Sequence, residues 1–249
     1  KKNVLENAQE LGISAASYCA KVLNDAIRTK GSARIILSTG ASQFGFFEAF
    51  IKEEIDWSKV EMFHLDEYVN LSSDHPASFR LYLQKRFLDE VPVQKAHLVD
   101  GEGNEAEVAA KIAAMAAEIQ KAPIDLALIG IGENAHIAFN DPPADFDTKE
   151  AYLVVNLDDH CKKQQVGEGW FATMDDVPKQ AITMSVQQIM ASKCIVSCVP
   201  HKVKAQAIRN TLASDVTNLI PATILKTHAN WHLYLDQESA SASAEEGLL

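Results

Sequence analysis

Apolar residues along the chain fall into two alternating kinds of segment. ARIILS (33–38), VEMFHL (60–65), IDLALIG (124–130), AYLVVNL (151–157), KCIVSCV (193–199) and NWHLYLD (230–236) are short runs rich in β-branched residues, the pattern of strands. Between them, apolar positions recur every three or four residues. In SAASYCAKVLNDAIRTK (14–30), Ala15, Tyr18, Val22, Leu23 and Ile27 share one helical face, with Ser14 as N-cap and Gly31 beyond the end. The stretch through Phe50, HPASFRLYLQKRFLDE (75–90), EAEVAAKIAAMAAEIQK (105–121) and 201–213 read as further helices. Strands alternating with helices predict an α/β fold, a single domain over residues 1–240 with a mostly parallel, Rossmann-like sheet and helices on both faces. The small, polar segment SASAEEGLL (241–249) is expected as a disordered, frayed tail.

Composition narrows the function classes. A formal net charge of −11 and a pI near 5.2 argue against a nucleic-acid partner, which clustered Lys and Arg would have to bind. The longest apolar runs are about half the length needed to cross a bilayer, and KKNVLENAQELG lacks the apolar core of a secretory signal. Cys19, Cys161, Cys194 and Cys198 form no CxxC pair, and the eight histidines show no HExxH spacing. Reduced thiols in a cytoplasm, with no metal and no cofactor, are the simplest expectation.

Three segments fall at predicted strand ends, where ligands sit in open α/β sheets. Thr39-Gly40-Ala41-Ser42 joins a strand to a helix; its small residues and hydroxyls suit an oxyanion, and equally suit a plain tight turn with Ser42 as N-cap. Asp66-Glu67-Tyr68 follows VEMFHL and offers two carboxylates, either as a general base at a pocket rim or as a solvated loop. Gly130-Ile131-Gly132-Glu133-Asn134-Ala135-His136 contains a formal GxGxxA, but Asn140-Asp141-Pro142-Pro143 breaks any helix within about two turns of Gly132, so a dinucleotide fingerprint is disfavoured. What remains is a glycine turn presenting His136, with Glu133, Asn134 and Asp141 near enough in sequence to orient the imidazole.

STGAS (38–42), LDEY (65–68) with HPASF (75–79), GIGENAHIAFNDP (130–142) and DVPKQAITM (176–184), in this order along the chain, resemble the signature segments of the glucosamine-6-phosphate deaminase/isomerase family, the sister group of the 6-phosphogluconolactonases. The resemblance runs from about residue 15 to residue 236 and implies a phosphorylated amino sugar as substrate. It further implies Asp66 as the base at C2, with Glu67 and Tyr68 shaping the site, and His136 as the ring-opening group. Asp141 stands where the family has Glu to orient that histidine. Thr39, Gly40, Ala41, Ser42 and Lys204 would hold the 6-phosphate, with Gly132 close by, and Lys162 or Lys163 stands for a family arginine. The family segment Asp-Gly-His reads Asn134-Ala135-His136 here, and an amide cannot carry the charge that would stabilise an imidazolium. The implied reaction converts glucosamine 6-phosphate to fructose 6-phosphate and ammonia. Alternatives are a lactonase or isomerase acting on another phosphorylated sugar, or a non-catalytic sugar-phosphate sensor, for which no helix-turn-helix segment is evident. Family members range from monomers to hexamers, so a homo-oligomer is compatible with the resemblance.

Overall fold

The computed structural model describes residues 1–249. In chain order its elements are β1 (Lys2–Leu5), α1 (Ala8–Lys30), β2 (Ala33–Leu37), α2 (Phe44–Phe50), β3 (Val60–His64), β4 (Asp66–Tyr68), α3 (Phe79–Leu83), β5 (Lys95–His97), α4 (Glu105–Ile119), β6 (Leu126–Leu128), β7 (Tyr152–Asn156), α5 (Asp159–Gly167), β8 (Gln180–Met184), α6 (Val186–Met190), β9 (Ile195–Val199), α7 (Ala205–Ala213), β10 (Trp231–Asp236) and α8 (Gln237–Glu245). Seven strands form one parallel sheet in the order β1-β10-β9-β6-β2-β3-β5.

Strand alternation sends side chains to two cores, as a sheet covered on both faces requires. Ile35, Leu37, Leu126 and Leu128 face one side, where Leu11, Ala15, Cys19 and Leu23 of α1 and Phe46, Phe47 and Phe50 of α2 cover them. Ile36, Ala127, Ile129 and Ile195 face the other, against Val186 and Ile189 of α6, Ile208 of α7 and Ala240 of α8. On the first face α1 and α2 cross closely at two glycines: a Cβ on Gly12 would lie 2.4 Å from the Gly45 carbonyl carbon. All four cysteines are free and buried. No helix is long and apolar enough to cross a membrane.

Several expectations change in detail. Helix α1 starts earlier than Ser14, at the N-cap Asn7, whose side chain accepts from Glu10 N at 2.9 Å. AYLVVNL does form a strand, but β7 belongs to a second, three-stranded antiparallel sheet of order β4-β8-β7. Asp66-Glu67-Tyr68 is therefore strand β4 rather than a loop. The helix expected from His75 begins only at Phe79, with Ser78 as N-cap. The tail expectation is also corrected: most of it continues as α8, because Asp236 caps the helix and Ser239, Ala240 and Ser243 are buried on its inner face. Small residues there permit close approach to the sheet.

Candidate active site

The strand order reverses between β2 and β6, and a cleft opens at their carboxyl ends, as expected for a topological switch point. Ser38, Thr39, Gly40 and Ser42 line it from the β2 end, Asp66 from β4, Gly130, Gly132 and His136 from the β6 end, and Lys204 from the turn after β9. Thr39, Gly40, Ser42, Asp66, Gly132, His136 and Lys204 are thus brought together as the sequence suggested.

Leu65 sets the position of Asp66. Its N–H donates to Leu37 in the large sheet at 3.3 Å, and its carbonyl accepts from Met184 N in the small sheet at 2.9 Å. Alternation along β4 then sends Asp66 and Glu67 to opposite faces. Glu67 is fully buried away from the cleft, where its carboxylate accepts from Tyr68 N (2.9 Å), Ser78 Oγ (2.7 Å) and Arg80 N (2.9 Å). Arg80 Nε adds an ion pair at 3.3 Å. Glu67 therefore braces the strand and does not line the cleft. Tyr68 is likewise fully buried, against Phe79, Phe139 and Phe171 behind the cleft wall. The donors around the acidic pair all turn to Glu67, leaving Asp66 to the cleft. Burial, reinforced by the neighbouring Glu67 charge, pushes the Asp66 carboxyl well above the usual range.

His136 sits on Gly132 so closely that a Cβ there would fall 2.1 Å from Cε1 of the ring. The side-chain oxygen of Asn134 accepts from His136 N at 3.1 Å and lies 2.5 Å from Nδ1. Because a backbone N–H can only donate, it fixes which end of the amide is oxygen; Nδ1 must then carry the ring hydrogen, and Nε2 is the free acceptor. Burial, with a smaller contribution from the Lys204 charge, lowers the imidazole to about 3, so it is neutral near pH 7. Asp141 Oδ1 is 3.5 Å from Nδ1. Burial, and then the Asp158 charge, raise the Asp141 carboxyl to about 7. Asn134 and Asp141 stand behind the imidazole rather than in the cleft. Ala135 between them has φ +63°, the left-handed region where a glycine would be free of strain.

Lys204 is only 4% exposed and has no salt-bridge partner. Burial lowers its ammonium, opposed by the charges of Glu168 and Glu133. The Ser38 hydroxyl, at the same end of the cleft, is buried without a hydrogen-bond partner. A buried cation and an unpartnered hydroxyl lining one cleft are groups that can receive an anion. Ala41 lies in the short turn under this site without lining it, and Lys162 is half-buried outside the cleft. Helix α5 instead presents Gln164 and Gln165, followed by Glu168. Glu168 is held by Gln164 Nε2 at 2.7 Å and Trp170 Nε1 at 3.0 Å. Sequence reasoning missed these three; the only signal was their spacing on one turn of a polar helix.

A family model described as glucosamine-6-phosphate isomerases/6-phosphogluconolactonase matches residues 6–233. The chain belongs to this family. Among its relatives, glucosamine-6-phosphate deaminase of Lactobacillus delbrueckii subsp. bulgaricus is 32% identical over 240 residues, covering 96% of this chain and 97% of the relative. That of Exiguobacterium sibiricum is 35% identical over 243 residues, covering 98% and 93%. Among family structures, a monomeric glucosamine-6-phosphate deaminase of the NagB superfamily superposes with a TM-score of 0.88 at 28% identity, covering 97% of this chain and 99% of that one. A 6-phosphogluconolactonase from Trypanosoma brucei, at 15% identity and a TM-score of 0.78 over 97% of both chains, shares the fold.

Proposed function

We propose that this chain isomerises and deaminates glucosamine 6-phosphate, giving fructose 6-phosphate and ammonia. The observation that carries the reading is one cleft holding a carboxylate, an imidazole with a free acceptor nitrogen, and a buried, unpaired lysine. The relatives' activity points the same way. Ser38, Thr39, Gly40, Ser42 and Lys204 hold the 6-phosphate, far from the reacting carbons, so that its binding energy positions the open chain.

Nε2 of His136 takes the proton of the anomeric hydroxyl and passes it to the ring oxygen, and the pyranose opens to the aldehyde. Asp66 then removes the C2 proton while the substrate's ammonium group gives a proton to O1, leaving an enolamine. Asp66 returns its proton to C1, leaving a ketimine at C2. Water adds to C2 and ammonia departs. The raised Asp66 carboxyl suits this task, because a stronger base removes a carbon-bound proton more readily. Four buried free thiols accord with a reducing cytoplasmic compartment.

Incubation with glucosamine 6-phosphate should release ammonia and fructose 6-phosphate in equal amounts. Asp66→Asn should nearly abolish exchange of the C2 proton with deuterated solvent while sugar-phosphate binding persists. Hydrolysis of 6-phosphogluconolactone without ammonia release would assign the cleft to the other branch of the family.

A further inference from the structure

Behind the catalytic imidazole, on the side away from the cleft, His136 Nδ1, an Asp141 carboxylate oxygen and Cys161 Sγ all lie within 4.8 Å of one another. We propose that these three groups form an inhibitory site for a borderline divalent cation, zinc being the best match, which switches the histidine off from behind. In the reaction proposed above Cys161 has no part, and Nδ1 serves only to hold the ring tautomer through Asn134.

Nδ1 contacts Asn134, but its spacing to Asp141 is that of two ligands of one ion rather than of a hydrogen-bonded pair. Zinc binds imidazole nitrogen at about 2.0–2.1 Å and carboxylate oxygen at about 2.0–2.2 Å, so the tetrahedral edge between the two is roughly 3.4 Å. Nδ1 and Asp141 Oδ1 are 3.5 Å apart. A hydrogen bond would need a shorter, better aligned pair, and Asp141 Oδ1 is buried with no hydrogen-bond partner. The other carboxylate oxygen has only a long contact, 3.5 Å, from Asp158 N. Cys161 brings the soft donor: it sits in the first turn of α5, fixed by its N–H to the N-cap Asp158 at 2.7 Å. The Asp141 side chain retains 9% exposure, which gives an ion a way in. A mixed N, O and S donor set favours zinc over magnesium or calcium, whose ligands are oxygens.

The protons balance as follows. Cys161 binds as thiolate and releases its proton to solvent. The hydrogen on Nδ1 moves to Nε2 as the metal takes the Nδ1 lone pair, displacing the contact to Asn134. Nε2 then donates where it must accept, so the ring can no longer take the anomeric proton. The cleft itself stays open.

Cadmium added to the chelator-treated wild-type protein should produce a thiolate-to-metal charge-transfer band in the ultraviolet, and Cys161→Ser should lose it. This arm is independent of the proposed reaction. In the activity arm, zinc should lower kcat with little change in KM, and a chelator should restore turnover. Cys161→Ser and Cys161→Ala should keep metal-free activity and need at least about tenfold more zinc for half-inhibition, since even groups behind a ligand are worth 10- to 100-fold in affinity. No band in the wild type, or a band and zinc sensitivity unchanged in both variants, overturns the site. Should both variants misfold, X-ray absorption of the cadmium-loaded wild type decides: one sulfur with nitrogen and oxygen neighbours supports the proposal, an oxygen-only shell refutes it.

Discussion

Asn134→Asp tests how the imidazole is tuned. In the wild type an amide oxygen 2.5 Å from Nδ1 holds the tautomer but offers no charge to an imidazolium, and the buried ring is lowered to about 3. A carboxylate in that place would accept from the same two donors and add a full opposite charge. Such a partner ordinarily raises a histidine by about 1–3 pKa units, equivalent to ~1.4–4 kcal/mol. The gain is limited by Asp141, whose carboxyl is raised to about 7 and is partly protonated near neutrality. A new carboxylate beside it drives Asp141 to take up its proton, which cancels part of the added charge, so the lower end applies. About 1.4 kcal/mol is a tenfold rise in kcat/KM on glucosamine 6-phosphate. Ammonia release in chelator-treated buffer measures the rate, and the 15N shifts of the His136 ring against pH measure the imidazole independently. If the ring titrates higher while kcat/KM stays flat or falls, imidazolium stabilisation does not limit the reaction and the role given to His136 is wrong.

Three further outcomes follow from the same geometry. Lys204→Ala should weaken binding of phosphorylated sugars by about 1.5–3 kcal/mol, the scale of a charge-assisted hydrogen bond, and leave an unphosphorylated analogue unaffected in calorimetry. Gly132→Ala places a methyl 2.1 Å from the His136 ring; the displaced imidazole should cost about 10²-fold in kcat/KM with a native circular dichroism spectrum. His64 is fully buried and lowered to about 3, chiefly by burial, so between about pH 6.5 and 3 the unfolded chain binds a proton that the folded one refuses. Its contribution to stability therefore falls by ~1.4 kcal/mol per pH unit on acidification, and His64→Asn should flatten the pH dependence of urea unfolding by that amount.

What the sequence revealed depended on how each segment is buried. The strands β2, β3, β6, β9 and β10 are covered on both faces or nearly so and read as mainly apolar runs; the residues at their ends include most of the cleft. The short strands β1 (KNVL) and β5 (KAH) sit at the two edges of the sheet and carry too few apolar residues to stand out. Strand β7 was visible, but its alternation of inner and outer residues is the mark of an antiparallel sheet with one open face, a distinction lost among apolar runs. Glu67 beside Asp66 reads as a second site carboxylate from its place at a strand end and from the family resemblance; because the segment is itself a strand, adjacent residues must part. Lys162 fell outside the cleft because one turn of α5 directs Gln165 and Glu168 inward instead, and which face of a short polar helix turns inward is decided by what it rests against.

Leu65 is held by both sheets at once, and that has a bearing on how such a cleft can diversify. Loosening the base would mean unzipping a ladder of backbone hydrogen bonds, so side-chain substitutions around Asp66 leave the position of the base unmoved. The α5 wall is fastened mainly by side chains, Gln164 to Glu133 and Glu168 to Trp170. Replacing those residues costs little architecture. Inherited change in sugar preference should therefore accumulate on that wall, with the proton-transfer machinery opposite it held fixed by the backbone.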